Sequence, residues 1–186
     1  YEALRQEVLS AAYLQADETP IRYICPGHGK TRKGYLWVYL APGRGVYFEW
    51  HAGRGSECLE DTLGAFDGTV QTDGYTAYES HNKARGDGRK LKLGNCWAHA
   101  RRGFYRAQDE SALAKAVLQD VQELYRVEAE LREDGAGAQQ REARRRTESA
   151  PMLAVIKGKL EAQRPHHLPQ SLTGKAISYA LDRWDG

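Results

Sequence analysis

Hydrophobic and polar residues follow a pattern that predicts strands in the first half of the chain and helices in the second. Apolar residues recur at helical spacing over 1–10, which indicates a short helix at the start. Runs rich in Tyr, Val, Ile and Trp, separated by Gly-containing turns, then predict an antiparallel meander of strands at 13–24, 35–41 and 46–51. Pro20 cannot donate a hydrogen bond to a neighbouring strand, so we expect a bulge or an interruption there.

The later elements are shorter, and the chain ends in a series of helices. Ser56 is a candidate N-cap for a helix that runs to about Phe66. A strand over 68–72, a helix over 75–85 and a strand over 89–95 follow. From Ala98 onward the pattern predicts helix almost throughout. One long amphipathic helix has an apolar stripe made of Leu113, Val117, Val121, Leu124 and Leu131.

Three meandering strands, a helix, a strand, a helix and a strand form the order typical of a ribonuclease-H-like α/β fold, a mixed sheet flanked by helices. We expect residues 1–106 to form this core. Residues 107–186 are expected to form a helical insertion and a return helix of the same domain. In such a fold the middle of the first strand lies beside the end of the fourth, and Asp17 and Asp73 fall at these two places.

The composition indicates a folded protein, because 41% of the 186 residues are hydrophobic and 28% are charged. No stretch reaches the roughly 20 apolar residues of a membrane span, and no segment resembles a signal peptide. We therefore expect a cytoplasmic protein without a membrane partner. The 3 cysteines are widely spaced and odd in number, so we expect reduced thiols rather than disulfides.

The net charge of +2 conceals a local imbalance. Residues 1–80 contain 7 Lys or Arg against 11 Asp or Glu, whereas residues 81–106 contain 8 Lys or Arg against 1 Asp. An acid-rich part followed by a basic stretch suits a metal site next to a groove for the phosphate backbone of a nucleic acid. A solvated surface is the alternative explanation of the basic stretch.

Four sequence blocks make the interpretation specific. They are ADETPIR at 16–22, GYLWVY at 34–39, QTDGYTAY at 71–78 and CWAHARRGF at 96–104. In this order and at these spacings they resemble transposases of the insertion-sequence-66 family, whose catalytic triad is Asp, Asp and Glu. The resemblance covers nearly the whole chain. It implies metal-dependent phosphodiester cleavage and strand transfer at transposon ends, which is the chemistry of a polynucleotidyl transferase.

The resemblance makes Asp17 and Asp73 the first two acids of the triad and the ligands of Mg²⁺ or Mn²⁺. Two such ions stabilise the attacking and leaving oxygens of a phosphodiester, and both prefer oxygen ligands. Without the resemblance, Asp73 is an Asp-Gly turn residue and Asp17 a partner of Arg22. Glu18 is expected on the opposite face of the strand, where it supports the acids without binding the ion.

The third acid of the family lies in a segment that these residues do not contain, so we expect it beyond Gly186 and expect the chain alone to be inactive. The alternative function is a non-catalytic DNA-binding or assembly module derived from a transposase. By resemblance, the partners are DNA, at the transposon ends and the target, and further copies of the full-length protein. No nucleotide cofactor is expected.

The basic stretch supplies candidate DNA contacts. Arg101 and Arg102 open a helix beside Phe104 and Tyr105, where guanidinium groups can bind phosphates and an aromatic ring can stack on an unpaired base. A solvated basic helix face is the alternative. The other candidate DNA-binding residues are Lys83, Lys90 and Lys92.

Two Cys-x-x-His pairs have the spacing of zinc ligands: Cys25 with His28, and Cys96 with His99. We favour roles without metal. The first pair lies in a hairpin turn outside the four blocks. The second belongs to the last block, where a buried thiol and a hydrogen-bonded His explain it, so Cys96 and His99 are candidate supporting residues of the active site.

Overall fold

A computed structural model of the chain describes residues 1–27, 29–85, 88 and 90–186. Its backbone contacts divide the chain into two compact units, residues 1–96 with Gly186 and residues 97–185. We call them the sheet unit and the helical unit. The domain division at residue 106 stays a proposal. The helical unit begins before that point because the helix that starts at Trp97 packs on later helices.

The sheet unit contains a mixed five-stranded sheet in the order β3-β2-β1-β4-β5. Its strands are β1 (Tyr13–Ile24), β2 (Thr31–Ala41), β3 (Gly45–His51), β4 (Thr69–Thr72) and β5 (Lys92–Asn95). Its helices are α1 (Glu2–Leu9), α2 (Glu60–Leu63) and α3 (Thr76–Ala84). β2 pairs antiparallel with β1 and β3, whereas β4 pairs parallel with β1 and β5. The predicted meander and mixed α/β sheet are confirmed.

The first strand has the bounds that its residue pattern predicts, but the prediction of a break at Pro20 is wrong. The register of β1 on β2 runs continuously from Gln15↔Leu40 to Ile24↔Thr31. Among the described residues, β1 pairs with β4 only up to Gln15. Pro20 therefore lies where one edge of β1 carries no neighbouring strand, and its missing N–H costs little there.

The helix after β3 begins differently from the prediction. Gly55, not Ser56, is the N-cap, and Ser56 is the first residue of a 3₁₀ turn, Ser56–Leu59, which continues into α2. This helix ends at Leu63 rather than near Phe66. The fifth strand begins at Lys92. Its predicted start, Arg89, lies outside the described residues.

The core of the sheet unit fills one face of the sheet, which fixes where the site residues point. Leu14, Ala16 and Glu18 of β1 are buried, whereas the alternating Gln15 and Asp17 are exposed. This two-residue period sends neighbouring side chains to opposite faces. The buried face packs against large residues that include Trp37, Tyr39, Leu59, Leu63, Val70 and Tyr78.

The helical unit contains the rest of the described secondary structure. Its helices are α4 (Trp97–Ala107), α5 (Ala112–Glu133), α6 (Ala138–Arg144), α7 (Ala150–Gln163) and α8 (Leu172–Asp182). A π-helical turn, Arg145–Ser149, joins α6 to α7, just before Pro151. Proline lacks an N–H and clashes with the preceding turn, which accounts for the wider turn there. Among the described residues, no helix has the length and apolar character needed to cross a bilayer.

The long amphipathic helix α5 contributes one face of buried side chains to the helical unit. Its buried residues are Ala114, Val117, Val121, Leu124, Val127 and Leu131. Four of the five predicted stripe residues are among them, and the fifth, Leu113, is partly buried. Phe104 of α4 is fully buried in the same core. Its ring is packed inside the unit, so of the two aromatic residues beside Arg101 and Arg102 only the exposed Tyr105 can stack on a base.

Candidate active site at the ends of strands β1 and β4

One candidate catalytic acid, Asp17, lies within β1, and the other, Asp73, directly follows β4, the parallel neighbour of β1. The last pair of the two strands is Gln15 with Gln71, and each aspartate lies two residues beyond its glutamine. Parallel neighbours in a sheet lie about 4.8 Å apart. Because side chains alternate with a period of two, Asp17 shares the face of Gln15, and the same alternation continued one residue past β4 predicts that Asp73 lies on that side as well. We predict that the two carboxylates lie within about 6 Å of each other, and the spacing of neighbouring strands is consistent with this prediction.

A row of hydrogen-bonded polar side chains lies on this face, next to the acids. The Tyr13 hydroxyl donates to Gln71 Oε1 at 2.6 Å, and Gln15 Nε2 contacts the same oxygen at 3.2 Å. Gln71 Nε2 in turn donates to the backbone oxygen of Asn95 on β5, at 3.3 Å. These hydrogen bonds hold β1, β4 and β5 in register next to the acids.

Each aspartate is also oriented by a backbone N–H. Asp17 Oδ1 accepts from the N–H of Glu18 at 2.9 Å, and Asp73 Oδ1 accepts from the N–H of Tyr75 at 2.8 Å. The second contact closes a turn in which Gly74 has φ of +77°, a conformation that favours glycine. Asp73 is thus a turn residue, as its alternative explanation predicted. A carboxylate has two oxygens and about four lone-pair sites, so a turn and an ion ligand are compatible.

The donor set suits a hard divalent cation. Among the described residues, no three His, Cys, Asp or Glu side chains are grouped closely enough to hold a metal ion. Mg²⁺ commonly binds through one or two protein carboxylates and completes its shell with waters and substrate phosphates. Asp17 and Asp73 fit an ion of that kind.

Glu18 points to the buried face, as predicted, and carries an ion pair that the sequence did not reveal. Its side chain is fully buried, and Oε1 accepts from Nε of Arg54 at 2.5 Å, with Nη2 of the same guanidinium also in contact. Burial raises the pKa of the Glu18 carboxyl, Arg54 lowers it, and the charges of Asp73 and Asp17 raise it further. The balance is a raised pKa.

Arg54 connects this buried carboxylate to the turn that holds Asp73. Its guanidinium carbon lies 3.8 Å from the ring centroid of Tyr75. The Tyr75 hydroxyl donates to the backbone oxygen of Arg54 at 3.1 Å, and the Tyr75 N–H binds Asp73. Desolvation by burial lowers the pKa of Arg54, but the hydrogen bond and charge of Glu18, together with the smaller effects of Tyr75 and Asp73, outweigh it, so the pKa is raised. Arg54 therefore links Glu18 to the turn that carries Asp73.

Comparison with known proteins assigns the chain to a family. All of residues 1–186 match the family described as Transposase IS66 family. The chain belongs to this family. It is 35% identical over 181 residues to uncharacterized protein y4qI of Sinorhizobium fredii (strain NBRC 101917 / NGR234), which covers 90% of the chain and 33% of that relative. Uncharacterized protein y4jD of the same organism is 30% identical, with 100% and 38% covered.

The chain spans about a third of the length of these curated relatives. No solved structure matches it. Family membership supports a transposase-related function.

In this IS66-family chain the predicted DNA-binding residues are all exposed. They are Lys83, Lys90 and Lys92 in the sheet unit and Arg101 and Arg102 in the helical unit. Arg85 differs from them, because its Nη1 donates to the backbone oxygens of Leu63 and Phe66, each at 3.0 Å. Arg85, one of the 8 basic residues of the 81–106 stretch, therefore stabilises the fold.

The structure describes three of the four residues in the two Cys-x-x-His pairs. Cys96 and His99 are both half-buried, and Nδ1 of His99 is buried without a hydrogen-bond partner among the described residues. Cys25 is a free thiol, and its predicted partner His28 lies outside the described residues. The supporting roles of Cys96 and His99 stay predictions.

Proposed function

We propose that the chain is a catalytic segment of a DNA transposase that binds Mg²⁺ or Mn²⁺ through Asp17 and Asp73, in a ribonuclease-H-like sheet. The observation that carries the proposal is the placement of Asp17 two residues beyond Gln15 in β1 and of Asp73 two residues beyond Gln71, the residue paired with Gln15, at the end of β4. The strand order and the family membership support it as well. The proposed setting is the cytoplasm, with transposon DNA as substrate and further copies of the parent protein as partners.

When bound, the metal supplies Lewis-acid stabilisation of the attacking and leaving oxygens of the phosphodiester. The residues of this chain do the positioning. The N–H groups of Glu18 and Tyr75 orient the two aspartates, and Arg54 holds Tyr75. Exposed basic residues of the 81–106 stretch neutralise the DNA backbone. The third acid of the triad comes from beyond residue 186 in this proposal, so the chain alone has little cleavage activity.

Metal-induced thermal stabilisation tests the two ligands. At ten times its Kd, a bound ion stabilises by about 1.4 kcal/mol, which corresponds to a rise in Tm of about 3–6 °C for a chain of this size. Asp17→Asn and Asp73→Asn should each abolish most of the rise with Mn²⁺. Exposed Asp67 provides the matched control, Asp67→Asn, which should keep it. An unchanged rise in both site variants would contradict the assignment.

The apo protein offers a second readout. Two nearby carboxylates repel each other when no metal is present. Asp73→Asn relieves this repulsion, and its amide oxygen can still accept from Tyr75, so the apo Tm should stay unchanged or rise slightly. Efficient metal-dependent cleavage by the chain alone that survives Asp73→Asn would refute the role of Asp73 and the incompleteness of the catalytic set. Metal-independent DNA binding without metal-induced stabilisation would favour the non-catalytic module instead.

A further inference from the structure

A groove between α4 and α5 of the helical unit combines unpaired cations, amides and aromatic rings. It has a volume of about 620 Å³, within the range of about 300–1,000 Å³ typical of ligand sites. Its lining residues are Arg101, Tyr105, Gln108, Lys115, Leu118, Gln119, Gln122 and Tyr125. Leu118 is the only aliphatic residue among them, and none is acidic.

The cations of this groove differ from several others in the same unit. Arg126, Arg144, Arg145, Arg146 and Lys159 each form an ion pair with a carboxylate. Arg101 and Lys115 form none within the part of the chain that the structure describes. The nearby acids of α5 are engaged elsewhere, Asp120 with Lys159 at 2.6 Å and Glu123 with Arg126 at 2.8 Å. The groove therefore presents two cations that form no ion pair with a described carboxylate.

Its aromatic and amide groups add the means to recognise a base. Tyr105 is 55% exposed and lies beside Arg101, whose guanidinium carbon is 5.8 Å from the ring centroid. Exposed aromatic rings next to cations bind unpaired nucleotides by stacking on a base while the cations contact the phosphates. The side-chain amides of Gln119 and Gln122 can donate to and accept from a base edge. Bases in a duplex are already stacked on each other, so this chemistry favours a single strand.

We propose that the α4–α5 groove binds single-stranded DNA, with a base against Tyr105 and the phosphates near Lys115 and Arg101. The inference rests on the proposed function, since that function makes DNA the polymer. It adds a site for unpaired nucleotides in the helical unit, formed by residues other than the two aspartates.

Fluorescence anisotropy of a labelled single-stranded octanucleotide, measured on the full chain in EDTA, tests this site without metal. Tyr105→Leu should weaken binding by about 5- to 100-fold, the range expected for one lost stacking contact. Tyr105→Phe keeps the ring and should retain the affinity. Lys115→Ala should lower the slope of log affinity against log salt by about 0.7. Exposed Lys175 on α8 gives the control Lys175→Ala, which should leave that slope unchanged.

Two results would overturn the proposal. One is affinity of the Tyr105→Leu and Lys115→Ala variants equal to that of the unchanged chain. The other is equal loss of single-stranded and duplex binding in Tyr105→Leu, which would show a backbone contact without base stacking. Either result leaves the Mn²⁺-induced rise in Tm, which depends on Asp17 and Asp73, as a separate test of the proposed function.

Discussion

Arg54 and Glu18, 36 residues apart in the sequence, form an ion pair on the buried face of β1, with Nε 2.5 Å from Oε1. The Glu18 side chain is fully buried, whereas the Arg54 side chain keeps 37% exposure. Removing one partner of a buried pair leaves an uncompensated charge in the interior. Arg54 therefore compensates the buried charge of Glu18 and links β1 to the turn that carries Asp73.

The Arg54→Ala change should destabilise the folded chain by about 2–3 kcal/mol in urea unfolding, less than the ~3–5 kcal/mol of a fully buried pair because Arg54 is partly exposed. Combining it with Glu18→Gln should recover part of the loss, since the buried charge is then absent. Arg22→Ala is the control, because Arg22 is exposed and its side chain makes a single hydrogen bond among the described residues, to Thr31 Oγ1 at 3.4 Å. A loss for Arg54→Ala as small as that of the control would show that the pair is unimportant.

Arg54→Lys separates stability from positioning. Lysine keeps the positive charge near Glu18 but loses the planar group that lies over the Tyr75 ring. We expect most of the stability to be retained, and the Mn²⁺-induced rise in Tm to shrink because Asp73 is held less firmly. If the metal response of Arg54→Lys equals that of the unchanged chain, Arg54 has no positioning role.

His81 should make stability depend on pH. It is 2% exposed, and burial lowers the pKa of its imidazole, an effect opposed by Glu60 and reinforced by Arg85. A lowered pKa in the folded state means that stability is present above the unfolded value, about 6.5, and is lost as pH falls through the folded value. Tm should therefore decrease less between pH 7 and pH 5 in His81→Gln. His166→Gln, at an exposed position, should behave like the unchanged chain.

Truncation to Ala should change the free energy of unfolding by very different amounts at two neighbouring aromatic residues of α4. Phe104 is fully buried and Tyr105 is 55% exposed. Phe104→Ala should cost about 3–5 kcal/mol in urea unfolding, from lost burial and the cavity left behind. Tyr105→Ala should stay within about 0.5 kcal/mol, as is usual for surface changes. Equal losses would contradict the described packing of α4.

Duplex DNA binding should depend on salt through the exposed arginines. The double change Arg101→Ala and Arg102→Ala should lower the slope of log affinity against log salt by up to about 1.8, or about 0.9 for each lost phosphate contact. The matched control replaces Arg145 and Arg146, which are engaged by Glu128 and Glu142. A slope that the first double change leaves intact would rule out phosphate contacts by Arg101 and Arg102.

Local features of the chain were predictable from sequence, and features that depend on distant contacts were not. The bounds of β1 followed from its run of β-branched and aromatic residues, and the buried stripe of α5 followed from the helical spacing of its apolar residues. The break predicted at Pro20 was wrong because the sequence does not show that the pairing of β1 with β4 ends before Pro20. Arg54 was missed because its role depends on the loop path that brings it to Glu18.

The buried pair of Glu18 and Arg54 also limits which substitutions related sequences can accept at these two positions. Loss of Arg54 alone leaves the buried Glu18 charge without its partner, whereas loss of Glu18 alone leaves an Arg54 side chain that is 37% exposed. Relatives that keep this sheet should therefore replace Arg54 only together with Glu18. Joint replacement by uncharged residues of similar volume is the change that packing tolerates. Pairwise substitution statistics in a collection of such sequences should therefore couple residue 18 to residue 54 more strongly than to its immediate neighbours in the chain.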